Sequence, residues 1–201
     1  MNPWYVSLLV TGEFAPPLIE PAQDAFLSAL ARGDARALSD AYREHHLAVR
    51  AFACRLLGDD AAAEDMVQEA FVALPRAMAR FRGETSLRSF VIAVAVNHAR
   101  HFVRAAARRR KSVMRLAVEP TLTLGGAPDE RLAREQLGDA LFRALDELPL
   151  DQRVAFVLCV VEERASQEAA AIIGAPAPTV RARVQAAKKR LRERLEGGGF
   201  R

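Results

Sequence analysis

A chain of 201 residues, 51% of them hydrophobic, is long enough for one large or two small domains and can bury a core, which excludes an intrinsically disordered protein. Aromatics are few at 6%, and the abundant Ala, Leu and Arg favour helices. The net charge of +4 and pI near 9.6 are mild, so the distribution of charge matters more than its sum.

Residues 1–21 contain Pro3, Gly12, Pro16, Pro17 and Pro21, which break helices, and are read as an irregular N-terminal extension. Residues 22–57 give two or three helices. Phe26, Leu27 and Leu30 form an apolar stripe that stops at Gly33. Asp34 is a good N-cap for the next helix. That helix carries Leu38, Tyr42, Val49, Phe52, Ala53, Leu56 and Leu57 and stops at Gly58, as a C′ glycine would stop it.

Two further helical patterns fill 59–111, joined by a polar hinge, RGETS. The first has Met66, Val67, Ala70, Phe71, Leu74, Met78 and Phe81 on one stripe. Its opposite face carries Asp65, Gln68 and Glu69 at i, i+3 and i+4, with no cation at i+4 to pair with them. Pro75 lies inside it and costs about 3 kcal/mol unless the helix kinks or ends there. The second pattern has Leu87, Phe90, Val91, Val94, Phe102 and Val103 inward. Asn97, Arg100, His101, Arg104 and Arg108 form the other face. Gly83 permits a tight hinge, and Thr85 or Ser86 can cap the helix after it.

Residues 112–130 lose the helical period. Pro120, Gly125, Gly126 and Pro128 mark a linker. A helix resumes over 131–147 with Leu132, Leu137, Leu141, Leu145 and Leu148 on or near one face. Leu150 to Glu163 is almost wholly apolar and is the expected centre of a second core. Then a short helix ends at Gly174, a turn follows, and a new helix begins near Pro178. This is a helix-turn-helix pattern. Val180, Val184 and Leu191 point inward in its second helix. Thr179, Arg181, Arg183, Gln185, Lys188 and Lys189 are expected to point outward, and Arg and Gln are the side chains that read guanine and adenine edges. Residues 197–201 are a tail.

The charge is concentrated in two places. Asn97–Lys111 holds six Lys or Arg and no acid, and Arg181–Arg194 holds seven with Glu193 alone against them. Two separated basic blocks suggest two contacts with a polyanion; the plainer alternative is two solvated helix faces. Cys54 and Cys159 sit in apolar helical patterns and suit packing better than a disulfide or a metal site. His98 and His101 lack further ligands at zinc spacing, so no metal or cofactor is expected. No stretch reaches the ~18 apolar residues of a membrane span, and the N-terminal apolar run lacks a basic flank, so membrane insertion and export are not expected and the cytoplasm is.

Three pieces in order, AEDMVQEAF (63–71), RFRGETSLRSF (80–90) and AVNHAR (95–100), resemble region 2 of a bacterial RNA polymerase sigma factor of the extracytoplasmic-function group. Residues from about Leu145 to Leu195, through LDELPLDQRVAFVL and PTVRARVQAAKKRLRERL, resemble region 4 of the same family. The departures are Pro75, where the family usually has tryptophan, and Ala169 and Ala170, where it tends to have an acid and a larger apolar residue.

The expectation is an all-α protein of two helical domains: a region 2-like bundle over 22–111 and a region 4-like helix-turn-helix domain over 131–196, joined by the 112–130 linker. The resemblance implies a partner set of core RNA polymerase, through its beta-prime and beta subunits, promoter DNA and an anti-sigma factor, with no small-molecule substrate. It implies that Asp65, Gln68 and Glu69 face polymerase. Arg82, Gly83, Thr85, Ser86 and Arg88, with Asn97, would hold a flipped base of the minus-ten element, and Arg100, Arg104 and Arg108 its phosphates. Thr179, Arg181, Arg183, Gln185, Lys188 and Lys189 would meet the minus-thirty-five element. No nucleophile, base and orienter can be assembled, so the chain is not expected to be an enzyme. Two other readings are a sigma mimic that sequesters an anti-sigma factor and a helix-turn-helix repressor. The first should lack both basic faces, and the second leaves the acidic helix face unexplained.

Overall fold

The computed structural model describes residues 21–116, 138 and 140–197, and its regular elements among them are all helical. The expectations for residues 1–20, Leu132, Leu137, most of the linker and the last residues of the tail lie outside this set. The first unit comprises α1 (Pro21–Ala31), α2 (Ala35–Leu57), α3 (Asp60–Ala77) and α4 (Leu87–Leu116). The second comprises α5 (140–146), α6 (Leu150–Phe156), α7 (Ser166–Ile173) and α8 (Ala177–Gly197).

Local chemistry sets the boundaries. The Asp34 carboxylate accepts from the backbone N–H groups of Arg36 and Ala37 at 3.0 and 2.9 Å, which starts α2. Gly58 ends it with φ +61°, and the Asp59 carboxylate then accepts from Ala62 N–H at 2.7 Å to start α3. Ser86 Oγ accepts from Ser89 N–H at 3.2 Å, so of the two candidate caps it is Ser86 that opens α4. Gly174, at φ +69°, closes α7.

Four boundaries differ from expectation. Pro21 belongs to α1, since a first-turn proline loses only a hydrogen bond that the helix would not have made. α3 passes through Pro75 to Ala77 and only then tightens into a 3-10 turn, Met78–Arg80. α4 continues to Leu116, past the expected linker start at 112. α6 gives way to a π-helical turn at Val157–Val161, so the helix stops short of Glu163, which has φ +54°. The wider turn shows in the bond from Glu162 N–H to Val157 O at 2.9 Å, one residue longer than an α-helical bond.

The largest difference is in the core. A separate second core around Leu150–Glu163 was expected. Instead Val154, Ala155, Val157, Leu158, Ala169, Ile172, Val180 and Val184 join the α2–α4 residues in one continuous apolar cluster. The reason is that Val154–Val161, the end of α6 and its π turn, is apolar on all sides. α8 and α7 cover one side, and α2 and α4 cover the other. Accordingly α4 is buried on more than its expected stripe: Ile92, Ala95, Ala99 and Ala106 are fully buried beside Val91. A small satellite cluster, Ala144, Leu145, Leu148, Ala187 and Leu191, holds α5 to α8.

Candidate functional site

α3 presents the acidic face. Met66, Val67, Ala70, Phe71, Leu74 and Met78 are buried as expected, which turns Asp65, Gln68 and Glu69 outward. These acids are not isolated. Tertiary packing brings Arg109 Nη2 within 4.0 Å of Asp65 and His98 Nδ1 within 3.7 Å of Glu69, both from α4. Helical spacing within α3 could not reveal partners 44 and 29 residues away by number. Both contacts are long and solvent-exposed, so they leave the carboxylates free to exchange partners. Val72 lies seven residues beyond Asp65 on the same face and is 75% exposed. Sequence reasoning passed over it, although a valine off the buried stripe was the available signal.

The hinge is clasped by Phe81 and Phe90, whose rings meet edge to face with centroids 4.9 Å apart. Gly83 takes φ +74°, a left-handed conformation that glycine adopts without strain. The hinge walls a cavity of about 730 Å³ that also touches Gln23, Glu44 and His45 of α1 and α2. That is within the ~300–1,000 Å³ usual for a ligand pocket. Gly83, Thr85, Ser86 and Arg88 all line it, and Arg82 is exposed beside it. The His45–His46 pair was visible in the sequence, but its spacing gave no hint that His45 is mostly buried at this wall.

Asn97 does not join that cavity. It lies 11 residues beyond Ser86, about 16 Å along α4 at 1.5 Å per residue. It lines a second cleft, of about 240 Å³, with Arg100, Asp151, Gly174 and Arg183. Arg100, Arg104 and Arg108 are all exposed, at i, i+4 and i+8 on one stripe.

In α8, Val180, Val184, Ala187 and Leu191 are buried, while Thr179, Arg181, Gln185, Lys188 and Lys189 are exposed. Arg183 is a correction. It was expected to point outward, but its Nη2 donates to Asp151 Oδ2 of α6 at 2.8 Å and it is half-buried in the cleft beside Asn97. Residues 181, 185 and 188 share a face at helical spacing, and 183 falls off it. Ala169, in the first helix of the motif, is completely buried, so its small side chain lies in the core under α8. Cys54 and Cys159 are both free and partly buried, and burial pushes both thiols up from their ordinary range.

Among the described residues no group of three or more His, Cys, Asp or Glu could hold a metal ion, and no helix is long and apolar enough to cross a membrane.

The sigma-70 region 2 family model matches residues 41–109, and the sigma-70 region 4 model matches residues 138–191. The ECF RNA polymerase sigma-E factor of Escherichia coli K12 is 32% identical over 139 residues, covering 66% of this chain and 73% of that protein. The RNA polymerase sigma-H factor of Pseudomonas aeruginosa is 25% identical over 172 residues, covering 82% of this chain and 89% of that protein. Among solved structures, CnrH in complex with the cytosolic domain of CnrY aligns with a TM-score of 0.54 at 22% identity, over 86% of this chain and 96% of that one. The sigma factor RpoE of Bartonella quintana, in complex with the anti-sigma factor NepR, aligns with a TM-score of 0.51 at 24% identity, over 79% of this chain and 96% of that one. These two likenesses concern the fold.

Proposed function

This chain belongs to the extracytoplasmic-function group of RNA polymerase sigma factors, and from that premise we propose how its residues divide the work of promoter recognition and melting. As a sigma factor it directs core RNA polymerase to promoters. It acts by binding, with no catalytic step of its own, in the cytoplasm where polymerase and DNA meet. The exposed face of Asp65, Gln68, Glu69 and Val72 docks on a cationic surface of core polymerase. The likeness to CnrH and RpoE, both solved with partner proteins, supports an anti-sigma factor as a further partner. Domain limits near 22–116 and 138–196 fit this division.

The observation that carries the DNA reading is the layout of α4. Its N-terminal end meets a polar hinge that walls a cavity roomy enough to admit a base, and its flank carries Arg100, Arg104 and Arg108 in one exposed stripe. A flipped base needs small polar groups and a cavity, and the phosphates beside it need cations in a row. The hinge residues Gly83, Thr85 and Ser86 take the base. Asn97 and the arginine stripe follow the strand away from it. A sigma mimic has no use for either feature.

The experiment is permanganate footprinting of open complexes. Replacing Thr85, Ser86 and Asn97 with Ala should leave closed-complex binding nearly unchanged and reduce opening by about tenfold or more, since a lost base contact costs roughly 1–3 kcal/mol. Normal opening by the triple variant would remove this assignment.

α8 supplies sequence choice at the upstream element. Losing Arg181, read as bidentate to a guanine, should cost ~1–3 kcal/mol and relax preference at one base pair. Losing Lys188 or Lys189 should weaken binding to every sequence and lower the salt slope by about one unit per contact. Binding selections on randomised upstream elements at two salt concentrations separate the two effects. An unchanged motif for Arg181→Ala means that a different residue reads the base.

A further inference from the structure

The hinge cavity has three kinds of wall, and they differ in what they can tell apart. Phe26, Leu27, Phe81 and Leu87 make the apolar wall. A flat ring stacks there whatever its edge carries, since every nucleobase has a π-face. Thr85 and Ser86 make the hydroxyl wall. A hydroxyl both donates and accepts, so it does not distinguish an amine from a carbonyl. Ser86 is also committed to its cap: its Oγ accepts from Ser89 N–H at 3.2 Å and lies 3.1 Å from Ser89 Oγ. The third wall is formed by Glu44 and His45 of α2. Here the roles are fixed. An ionised carboxylate only accepts. The one ion-pair neighbour of Glu44 among the described residues is His45, whose Nε2 is 3.8 Å from its Oε1, too far for a hydrogen bond. With its proton on Nε2, His45 donates at the same spot.

We infer that Glu44 and His45 select the base held in the hinge cavity, admitting one that presents an exocyclic amine beside an unprotonated ring nitrogen, adenine or cytosine, and rejecting guanine and thymine. This selection rests on the reading of the cavity as the seat of the flipped base.

Cytosine carries its N4 amine beside N3, and adenine its N6 amine beside N1. Either edge sets a donor against Glu44 and an acceptor against His45. Thymine and guanine place a carbonyl and an N–H there instead, so acceptor would face acceptor and donor would face donor. A glutamate accepting from cytosine N4 is an established form of base readout. The charge of Glu44 sharpens the choice. A carboxylate close to a phosphate chain lowers affinity for any strand that gives it no hydrogen bond, which makes it a device for rejection as well as recognition. Affinity then comes from the apolar and hydroxyl walls and from Arg88 and the exposed Arg82, while selection comes from α2.

The test uses the full chain assembled with core polymerase and single-stranded minus-ten oligonucleotides from a promoter selected with that holoenzyme. Fluorescence anisotropy reads affinity. Each position is changed in turn from cytosine to uracil or from adenine to hypoxanthine, which replaces the amine by a carbonyl and leaves the ring the same size. At one position the wild type should prefer the amine-bearing base by about tenfold or more. The Glu44 side chain is 72% exposed, so replacing it leaves the packed side of α2 untouched. Glu44→Gln, whose amide both donates and accepts, should bring the ratio toward one. Glu44→Lys, which only donates, should invert it, a result that a merely structural role for Glu44 would not give. Thr85→Ala should weaken binding of both members of each pair and keep their ratio. A wild-type ratio near one at every position overturns the selection. A ratio unchanged in both Glu44 variants overturns the role of Glu44. If Thr85→Ala binds every oligonucleotide as tightly as the wild type, the base is not held at the hinge, and the reading of the cavity falls together with the selection.

Discussion

Reversing two charges on α3, Asp65→Arg with Glu69→Arg, should weaken binding to core RNA polymerase by about 30-fold to 1,000-fold, equivalent to ~2–4 kcal/mol, in the range measured for losing one side of an interfacial charge pair. Both carboxylates are about half exposed on a face whose inward side is fully packed, so the change leaves the core untouched. The variant loses only weak pairings. Arg109 keeps its shorter contact with Asp59 at 3.1 Å, and the 4.0 Å contact to Asp65 is exposed and worth at most ~1 kcal/mol. A titration with purified core enzyme measures the effect, and circular dichroism should report unchanged helix content. Retained affinity would mean that polymerase grips another face. Val72→Asp extends the test: an apolar residue 75% exposed beside these acids should matter to binding and not to folding.

The second large effect is on stability. Among the described residues, Asp146 is the one polar side chain bonded to Arg153, which has no exposure to solvent. Burial pushes the Arg153 guanidinium below its ordinary range, against the opposing pull of the Asp146 carboxylate 2.7 Å away. Asp146→Ala leaves that charge buried and uncompensated, a loss of ~3–5 kcal/mol. At ~2–4 °C per kcal/mol for a chain of this size, the melting temperature should fall by about 10 °C. The double variant Asp146→Ala with Arg153→Met should recover much of the loss, because an apolar group of similar length needs no partner. A double variant no better than the single one would show that Asp146 acts mainly through Arg110. Thermal melts of wild type and both variants distinguish these outcomes.

Much of this protein could be read from short-range pattern. The stripe from Met66 to Met78, the caps at Asp34 and Ser86, the glycine stops at Gly58 and Gly174, and the helix-turn-helix after Ser166 all depend on residues within a turn or two of one another. Helical periodicity and capping act over that distance, so the sequence by itself determined the elements, their outward charges and the family they resemble. It also determined which stretch has no polar side: Val154 to Val161 is apolar throughout.

Only the tertiary structure decided what covers that stretch. Its second apolar side is buried by α2 and α4, which merges two expected cores into one. The same packing pairs Arg110 with Asp146 and Arg55 with Glu162, turns Arg183 toward Asp151, and separates Asn97 from the hinge cavity. These contacts join residues 32 to 107 positions apart in three of the four cases by hydrogen bonds between side chains. No periodic signal spans such distances. A charge placed on a helix face states that it can form a pair, and the neighbour is chosen by how the helices pack, which is fixed by apolar area buried on all sides at once.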